Sequence, residues 1–238
     1  GYNIQWYRNI AIGGSALKNS FDVSTCIAIG ERALYNMDNN SATPYLSAGN
    51  IAIGYNSMYS TAATLNTNGI HNIGVGVQTL YNNTTGYSNV AIGHRTMHGN
   101  DNGYGNVAVG DEALNASTSG AGNTALGYQA GNFNSTGSFN TYMGYDADAS
   151  VNNLTNASAI GTYAQVATSN SMVLGSIAGV NGAATTVSVG IGTNTSARTL
   201  HIGGTANGVR VGGLSTGGSF ITAPAATTDK LMYADANG

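Results

Sequence analysis

The sequence predicts an all-β fold, and more specifically a parallel β-solenoid of about ten coils. The motif Asn-Ile-Ala-Ile-Gly recurs, unchanged or with small changes, along most of the 238 residues. Its closing glycines are 17 residues apart in five consecutive steps, from Gly76 to Gly161. A unit of this length accommodates two short strands and two turns but is too short for a helical pair or a propeller blade. The 42% hydrophobic content and only 2 Pro favour a packed fold over a disordered chain.

The charge balance argues against two classes of partner. The chain has 7 basic and 10 acidic residues, so no basic patch is available to neutralise phosphates and we expect no nucleic-acid partner. The longest apolar run is a handful of residues, against about 20 for a spanning helix, so this segment is predicted not to insert into a membrane. Charged residues make up only 7% of the chain, against about 25% in ordinary soluble domains, which is not typical of an enzyme.

We divide the chain into four parts. Residues 1–8 are interpreted as the lead-in of a longer chain, because the sequence begins without an initiator Met. Residues 9–180 are the solenoid repeat region, 181–220 a short separate β module, and 221–238 an extended tail rich in Ala and Thr. The repeat is defined by its opening Asn and closing Gly residues, which are Asn9, Gly13, Gly30, Asn50, Gly54, Asn72, Gly76, Asn89, Gly93, Asn106, Gly110, Asn123, Gly127, Asn140, Gly144 and Gly161.

Each motif strand presents two kinds of side chain. The residues flanking its centre are mostly Ile or Val, and we expect these to form an aliphatic stack on one face. The centre is a small residue, and a column of small apolar residues indicates that the second face is also covered. We therefore predict that this column packs against a neighbouring chain, with the interface formed by Ala11, Ala28, Ala52, Ala91, Ala108 and Ala125. A further Leu/Met column, which begins at Leu17, stops at Gly131.

Polar residues also recur with the coil period. Asn side chains stacked at a turn are predicted to hydrogen-bond from coil to coil, with breaks where Cys26 and Ala157 replace Asn. A second glycine column precedes the Asn, and we expect a positive φ at its members Gly86, Gly103, Gly120 and Gly137. Unlike charges are predicted to meet across the ladder, because His94 lies one coil below Asp111 and Arg95 one coil below Glu112.

Two insertions and a set of tyrosines suggest where a receptor binds. Residues 37–48 and 61–71 lengthen their coils, and such insertions emerge as loops that commonly form the binding face of a solenoid. Aromatic rings of the kind that stack on sugars make Tyr45, Tyr55, Tyr59, Tyr81, Tyr87 and Tyr104 the candidate receptor-binding residues. The alternative is that these rings cap coil edges or fill grooves between chains.

The C-terminal part departs from the repeat. From residue 187 the sequence alternates as Val-Ser-Val-Gly-Ile-Gly, and similar short segments follow at 199–204 and 209–213. This alternation favours short strands in a different β module.

The repeats resemble the head repeats of trimeric autotransporter adhesins and related repeats of bacteriophage tail fibres, over about residues 9–175. The stretch from Val189 to Thr193 with Leu200, His201 and Ile202 is similar to the module that often precedes the C-terminal intramolecular chaperone of tail-fibre proteins. The chain lacks the Pro common there and has Thr195-Ser196-Ala197 instead. The resemblance implies a left-handed β-roll, three chains around one axis, a chaperone that is cleaved off after trimerisation, and a role in attachment.

Enzymatic motifs are sparse. Ser15-Ala16-Leu17-Lys18 matches Ser-x-x-Lys, and residues 213–217 match a nucleophile elbow, but neither lies in the strand and helix context that such chemistry requires. Glycoside hydrolysis is an alternative function, because it requires a pair of carboxylates and the sequence offers two such pairs. One pair is Asp146 with Asp148, predicted to lie about 7 Å apart on one strand face, and the other is Asp111 with Glu112. The four His and one Cys make no close-spaced metal motif, and no cofactor is predicted.

These observations predict a non-enzymatic, homotrimeric fibre located outside the cell, on a virion tail or a bacterial surface. A rigid shaft or head of this kind projects a surface toward a cell-surface glycan or protein receptor. The first alternative is a bacterial surface adhesin or extracellular filament subunit. The second is a monomeric ice-binding or glycan-binding solenoid, which needs a flat ladder such as Thr-x-Thr, and Thr79 with Thr96 is a short one.

Overall fold

The fold was examined in a computed structural model, which describes residues 8–20, 23–36, 38–39, 49–60, 62–63, 69–191 and 200–202. Within these residues every regular element is a β-strand and none is a helix. The predicted parallel β-solenoid is therefore confirmed. Tyr45, most of both insertions, residues 1–7, 192–199 and 203–238 lie outside the described residues.

One long sheet runs the length of the solenoid. Ten three-residue strands pair in parallel and in register, so that the central residue of each motif faces the central residue of the next coil. In order across the sheet they are β1 (Ile10–Ile12), β2 (Ile27–Ile29), β4 (Ile51–Ile53), β6 (Ile73–Val75), β7 (Val90–Ile92), β8 (Val107–Val109), β9 (Thr124–Leu126), β10 (Thr141–Met143), β12 (Ser158–Ile160) and β14 (Met172–Leu174).

Three short parallel pairs complete the strands. The later coils add a second pair on another side of the solenoid, β11 (Asp148–Ala149) with β13 (Gln165–Val166). In the coils that carry the insertions, β3 (Asp38–Asn39) pairs with β5 (Ala62–Ala63). The predicted C-terminal module contributes the pair β15 (Val189–Ile191) and β16 (Leu200–Ile202).

The closing glycines end each strand in a backbone conformation that other residues rarely adopt. At the nine closing glycines from Gly13 to Gly161 the φ values lie between 120° at Gly161 and 139° at Gly110, and at Gly175, which follows the last strand of the long sheet, φ is 81°. They also pack too tightly for a side chain, since a Cβ on Gly13 would lie 2.6 Å from the carbonyl oxygen of Gly30. Both requirements explain why Gly recurs at this point of the coil.

The second glycine column has a different cause from the predicted one. A positive φ is found at none of Gly86, Gly103, Gly120 and Gly137, so that prediction is wrong. Glycine is needed there for space, because a Cβ on Gly103 would lie 2.5 Å from the carbonyl oxygen of Gly120 in the next coil. The same Cβ would lie 2.4 Å from Asn100 Oδ1 in its own turn, so the next coil and the local turn both exclude a side chain.

The interior of the solenoid is lined by the small central column of the motif strand. Ala28, Ala52, Ala91 and Ala108 are completely buried and Ala125 is 1% exposed. Facing them across the coil is the Leu/Met column, whose members are also completely buried and are Leu17, Leu34, Met58, Leu80, Met97 and Leu114. The predicted oligomer interface is therefore wrong for these five alanines, whose side chains are enclosed by their own chain.

The narrow cross-section of the coil explains this reversal. At the one coil where the central residue is Gly74, an added Cβ would lie 2.9 Å from Thr79 Oγ1 and 3.0 Å from Met58 Cε. The space between the two sides of the coil thus admits a methyl group at most. Ala11, in the first coil of the sheet, is exposed. The larger Ile and Val side chains of each motif point outward instead.

Candidate functional site

The outward face of the ten-stranded sheet is a mainly aliphatic strip, whose polar members are Thr124, Thr141 and Ser158. The strip is defined by the two residues that flank each motif centre, and it is exposed at both ends and in the middle. Ile12 is 59% exposed, Ile92 40%, Leu126 47% and Met172 63%. Parallel strands are spaced by about 4.8 Å, so the ten strands make this strip about 43 Å long. Monomeric proteins rarely expose a contiguous apolar surface of such extent.

The predicted asparagine ladder is present and is buried. From Asn50 to Asn140 each side chain joins two coils. For example, Asn89 Nδ2 donates to Gly103 O at 2.8 Å, and Asn89 Oδ1 accepts from the backbone N–H of Asn106 at 3.0 Å. Asn9 begins the ladder by accepting from Cys26 N at 2.8 Å. Buried amides with both ends bonded fix the register of the coils.

A second asparagine column was missed by the sequence analysis. Asn83, Asn100 and Asn134 are completely buried and donate to the glycine carbonyl three residues later, at 3.0 to 3.2 Å. The same carbonyl oxygen also accepts a hydrogen bond from an asparagine of the first ladder, so one oxygen binds both asparagine columns. The signal was present in the sequence, because these residues precede Gly86, Gly103 and Gly137 at a fixed distance. Ser117 interrupts the column, and its hydroxyl and Asn100 Oδ1 have no partner among the described residues.

The predicted charge ladder is confirmed. His94 Nδ1 lies 2.9 Å from Asp111 Oδ1, and Arg95 Nη1 donates to Glu112 Oε1 at 3.2 Å. Glu112 also accepts from Gln129 Nε2 at 2.7 Å. The carboxylates of Asp111 and Glu112 thus bond to neighbouring coils along the solenoid.

The candidate tyrosines stack on one another. Tyr35, Tyr59, Tyr81 and His98 form one continuous stack with centroids 5.0 to 5.1 Å apart and nearly parallel rings. Tyr87 and Tyr104 form a second stack at 4.8 Å. Ring faces inside a stack are covered, so these residues present mainly edges and hydroxyl groups to solvent. Tyr55 is 43% exposed and belongs to neither stack.

The coil cross-section changes where the Leu/Met column ends. Gly131 replaces Leu, and Tyr142 replaces the usual alanine of the motif strand. The Tyr142 ring is completely buried and occupies the vacated space, since a Cβ on Gly131 would lie 2.6 Å from Tyr142 Cδ2. Burial raises the pKa of the Tyr142 phenol, and its hydroxyl has no partner among the described residues.

A polar cleft of about 540 Å³ opens beside this change. Its walls come from four successive coils, which contribute residues from Ala116 to Gln165, and from the segment that follows the long sheet. The polar and aromatic residues that line it are Asn132, Phe133, Asp148, Ser150, Gln165 and Asn181. The ring of Phe133 is 56% exposed, whereas Asp148 is only 5% exposed.

Asp148 is a buried carboxyl held by the backbone. Its Oδ2 accepts from Phe133 N at 2.8 Å and its Oδ1 from Ala149 N at 2.7 Å. Burial nevertheless raises its pKa to about 7, although the two N–H groups oppose the shift. Asp146 lies in the preceding turn with φ 52° and not on the same strand, so the predicted shared strand face is wrong.

The remaining chemical candidates are isolated. In the described ranges no group of three or more His, Cys, Asp and Glu side chains is arranged to hold a metal ion. Burial raises the pKa of the Cys26 thiol to about 11. Ser15 and Leu17 both lie in a tight turn with positive φ.

No helix long and apolar enough to cross a bilayer occurs among the described residues.

Comparisons with known proteins gave no relatives: no protein-family model, curated protein or solved structure matches this chain.

Proposed function

We propose that the chain is a non-enzymatic fibre subunit that associates as a homotrimer and projects an attachment surface. The observation that carries this proposal is the outward aliphatic strip. A strip about 43 Å long and one strand wide has the shape of a surface that is covered lengthwise by other copies of the same rod. The number of three follows from the resemblance of the repeats to adhesin heads and tail fibres.

The mechanism of attachment is spacing and multivalency. The solenoid is stiff because each coil bonds to the next through the sheet, the buried asparagines and the stacked rings. Three parallel copies would present the same weak site three times at a fixed separation. The second and third contacts then form at a high effective concentration, which raises avidity without new contacts.

The proposed location is extracellular, on a phage tail fibre, where the ligand is a cell-surface glycan or protein. A bacterial surface adhesin or an extracellular filament subunit is the alternative. Immunoelectron microscopy with an antibody to this chain separates the two, because the label would decorate either virion tails or the cell surface.

Native mass is the test of the proposal. Sedimentation equilibrium or light scattering should give a mass near 72 kDa, three times the 24.0 kDa of one chain. A mass near 24 kDa would overturn the trimeric fibre, because the aliphatic strip would then be exposed in solution. The monomeric ice-binding or glycan-binding solenoid would become the better hypothesis.

A further inference from the structure

We infer that the cleft around Asp148 binds an uncharged pyranose sugar. This inference rests on the proposed attachment function, and it assigns the ligand class and the site that the candidate tyrosines leave open. Four features of the cleft carry it: an exposed aromatic ring, side chains with spare hydrogen-bonding groups, a buried carboxyl at its wall, and a lining that contains no Lys, Arg or His among the described residues.

The aromatic surface is supplied by Phe133. Its ring is 56% exposed and lines the cleft, and it belongs to none of the stacks that cover the tyrosine rings. The apolar face of a pyranose, which carries C–H groups, packs on an aromatic ring of this kind. The backbone of Phe133 is held at the cleft, because its N–H donates to Asp148 Oδ2.

Polar side chains with unused hydrogen-bonding groups lie around the Phe133 ring. Among the described residues, the side chains of Asn132, Ser150 and Gln165 form no hydrogen bond with the protein, yet all three line the cleft. A carboxylate has about four acceptor sites, and the two backbone N–H groups occupy one on each oxygen of Asp148. Amide, hydroxyl and carboxyl groups both donate and accept, as sugar hydroxyls do.

The charge of the cleft disfavours an anionic ligand. Among the described residues, Asp148 is the single ionisable residue that lines it, and Asp146 lies near enough to disfavour further negative charge on Asp148. Within the same part of the chain no Lys, Arg or His lines the cleft, so sulfate, phosphate or carboxylate groups on a sugar would have no cation there to pair with. The volume of about 540 Å³ lies within the range of ligand pockets, about 300 to 1,000 Å³.

The test uses the whole chain and simple sugars. Saturation-transfer NMR is recorded with the methyl glycosides of glucose, galactose, mannose and N-acetylglucosamine, and with methyl sialoside as the charged comparison. At least one neutral glycoside should give signals, and the sialoside should give none. A diazirine derivative of the best glycoside should crosslink to residues 132–133, 148–150 or 165, which locates the site without a substitution.

Variants then test the individual contacts. Phe133→Ala should weaken binding by roughly tenfold, and Gln165→Ala by about threefold or more. Phe139→Ala is the matched control, because this ring is 64% exposed and lies outside the cleft. Circular dichroism should show the same fold for all three variants. Binding should be unchanged in the control.

The failure of this site can be told apart from the failure of the fibre proposal. No signal from any neutral glycoside, with a native mass near 72 kDa, would overturn the site and leave the fibre standing. Binding that survives both Phe133→Ala and Gln165→Ala, or crosslinks elsewhere, would also overturn it. A preference for the sialoside would overturn the assignment of an uncharged ligand.

Discussion

At the scale of single residues, buried amides determine how the coils stack. From Asn50 to Asn123, each asparagine of the first ladder donates to a glycine carbonyl and accepts from the backbone N–H of the next asparagine, so neither end of the amide is left unpaired. Asn140 donates to Leu154 O and accepts from Ala157 N in the same way. An unpaired polar group in the same interior would be destabilising by about 1 to 3 kcal/mol. The places where the second column is incomplete are therefore where single substitutions should have the largest effects.

Ser117→Asn should stabilise the protein. The new amide would reach the carbonyl oxygen of Gly120, which now accepts only from the first ladder, and would also donate to Asn100 Oδ1, which lacks a partner. We expect an increase in the free energy of unfolding of about 1 kcal/mol. Chemical denaturation measures it.

Ser117→Leu is the matched control for this prediction. Leucine has nearly the shape of asparagine but cannot donate, so Asn100 Oδ1 would remain unpaired, as it is in the wild type, and the variant should be less stable than Ser117→Asn. Equal stability of the Asn and Leu variants would show that hydrogen bonding in the column contributes nothing.

The buried carboxyl of Asp148 should make stability depend on pH. Its pKa in the folded protein is about 7, above the ordinary value of 3.8, so the folded state holds the proton more tightly than the unfolded state. The contribution of Asp148 to stability is therefore greatest below pH 4, falls as the pH rises toward 7 and is constant above that. The full change is about 4 kcal/mol.

Thermal and urea unfolding of Asp148→Asn between pH 4 and pH 8 test this dependence. Relative to the wild type, the variant should gain stability as the pH rises, because it has no proton to lose. Glu31→Gln, at an exposed carboxylate, should keep the wild-type dependence. A constant difference between Asp148→Asn and the wild type across this range would contradict the raised pKa.

At the scale of the element, the sequence predicts the coil repeat but not which side chains lie in the interior of the coil. The glycine period predicted the motif strand of each coil in the right register, because only Gly fits the positive φ and the close approach at Gly13 and its equivalents. The second strand predicted for each coil is found, among the described residues, only in the pairs β3–β5 and β11–β13. Alternation along Ile10–Ile12 defines two faces but does not say which is interior. Hydrophobicity favoured burying the Ile side chains, whereas the narrow coil admits only Ala at position 28 or 52 and their equivalents.

Gly131 and Tyr142 are a coupled pair within one coil. Gly131→Leu alone restores the Leu/Met column but collides with the Tyr142 ring, and such overpacking is destabilising by about 1 to 3 kcal/mol. Tyr142→Ala alone restores the alanine column but leaves a cavity, at about 3 to 5 kcal/mol. The double variant has the composition of the preceding coils and should be more stable than the sum of the two changes predicts.

A double-mutant cycle in urea measures this coupling. We expect an interaction free energy of at least about 1 kcal/mol in favour of the double variant. Additive effects would mean that the Tyr142 ring does not fill the space left by the missing Leu. Tyr142→Phe should raise the free energy of unfolding by about 1 kcal/mol or more, because it removes a buried hydroxyl that has no partner among the described residues.

At the scale of the whole molecule, the two faces of the motif strands are the reverse of those predicted, with the alanines inside the coil and the larger side chains outside. This changes the surface on which chains would meet. The alanine column suggested an interface by its small size, but that column closes the interior of its own coil. The outward strip that remains carries larger side chains than the predicted interface. The cleft at Asp148 could not be predicted either, because it arises where Gly131 and Tyr142 change the cross-section and the segment containing Asn181 folds back.

Ile92→Glu tests whether the outward strip joins the chains. Ile92 lies in β7, near the middle of the strip, and is 40% exposed in a single chain, so a carboxylate there should leave the fold intact. In the assembly, every copy would bring a charge into an apolar contact, and the native mass should fall from about 72 kDa toward the 24.0 kDa of one chain. Val77→Glu is the matched control, because Val77 is 42% exposed but follows the closing glycine, in a column that carries His94 and Asp111. That variant should keep the mass of the wild type. If Ile92→Glu also keeps it, the strip is not the surface along which the chains associate.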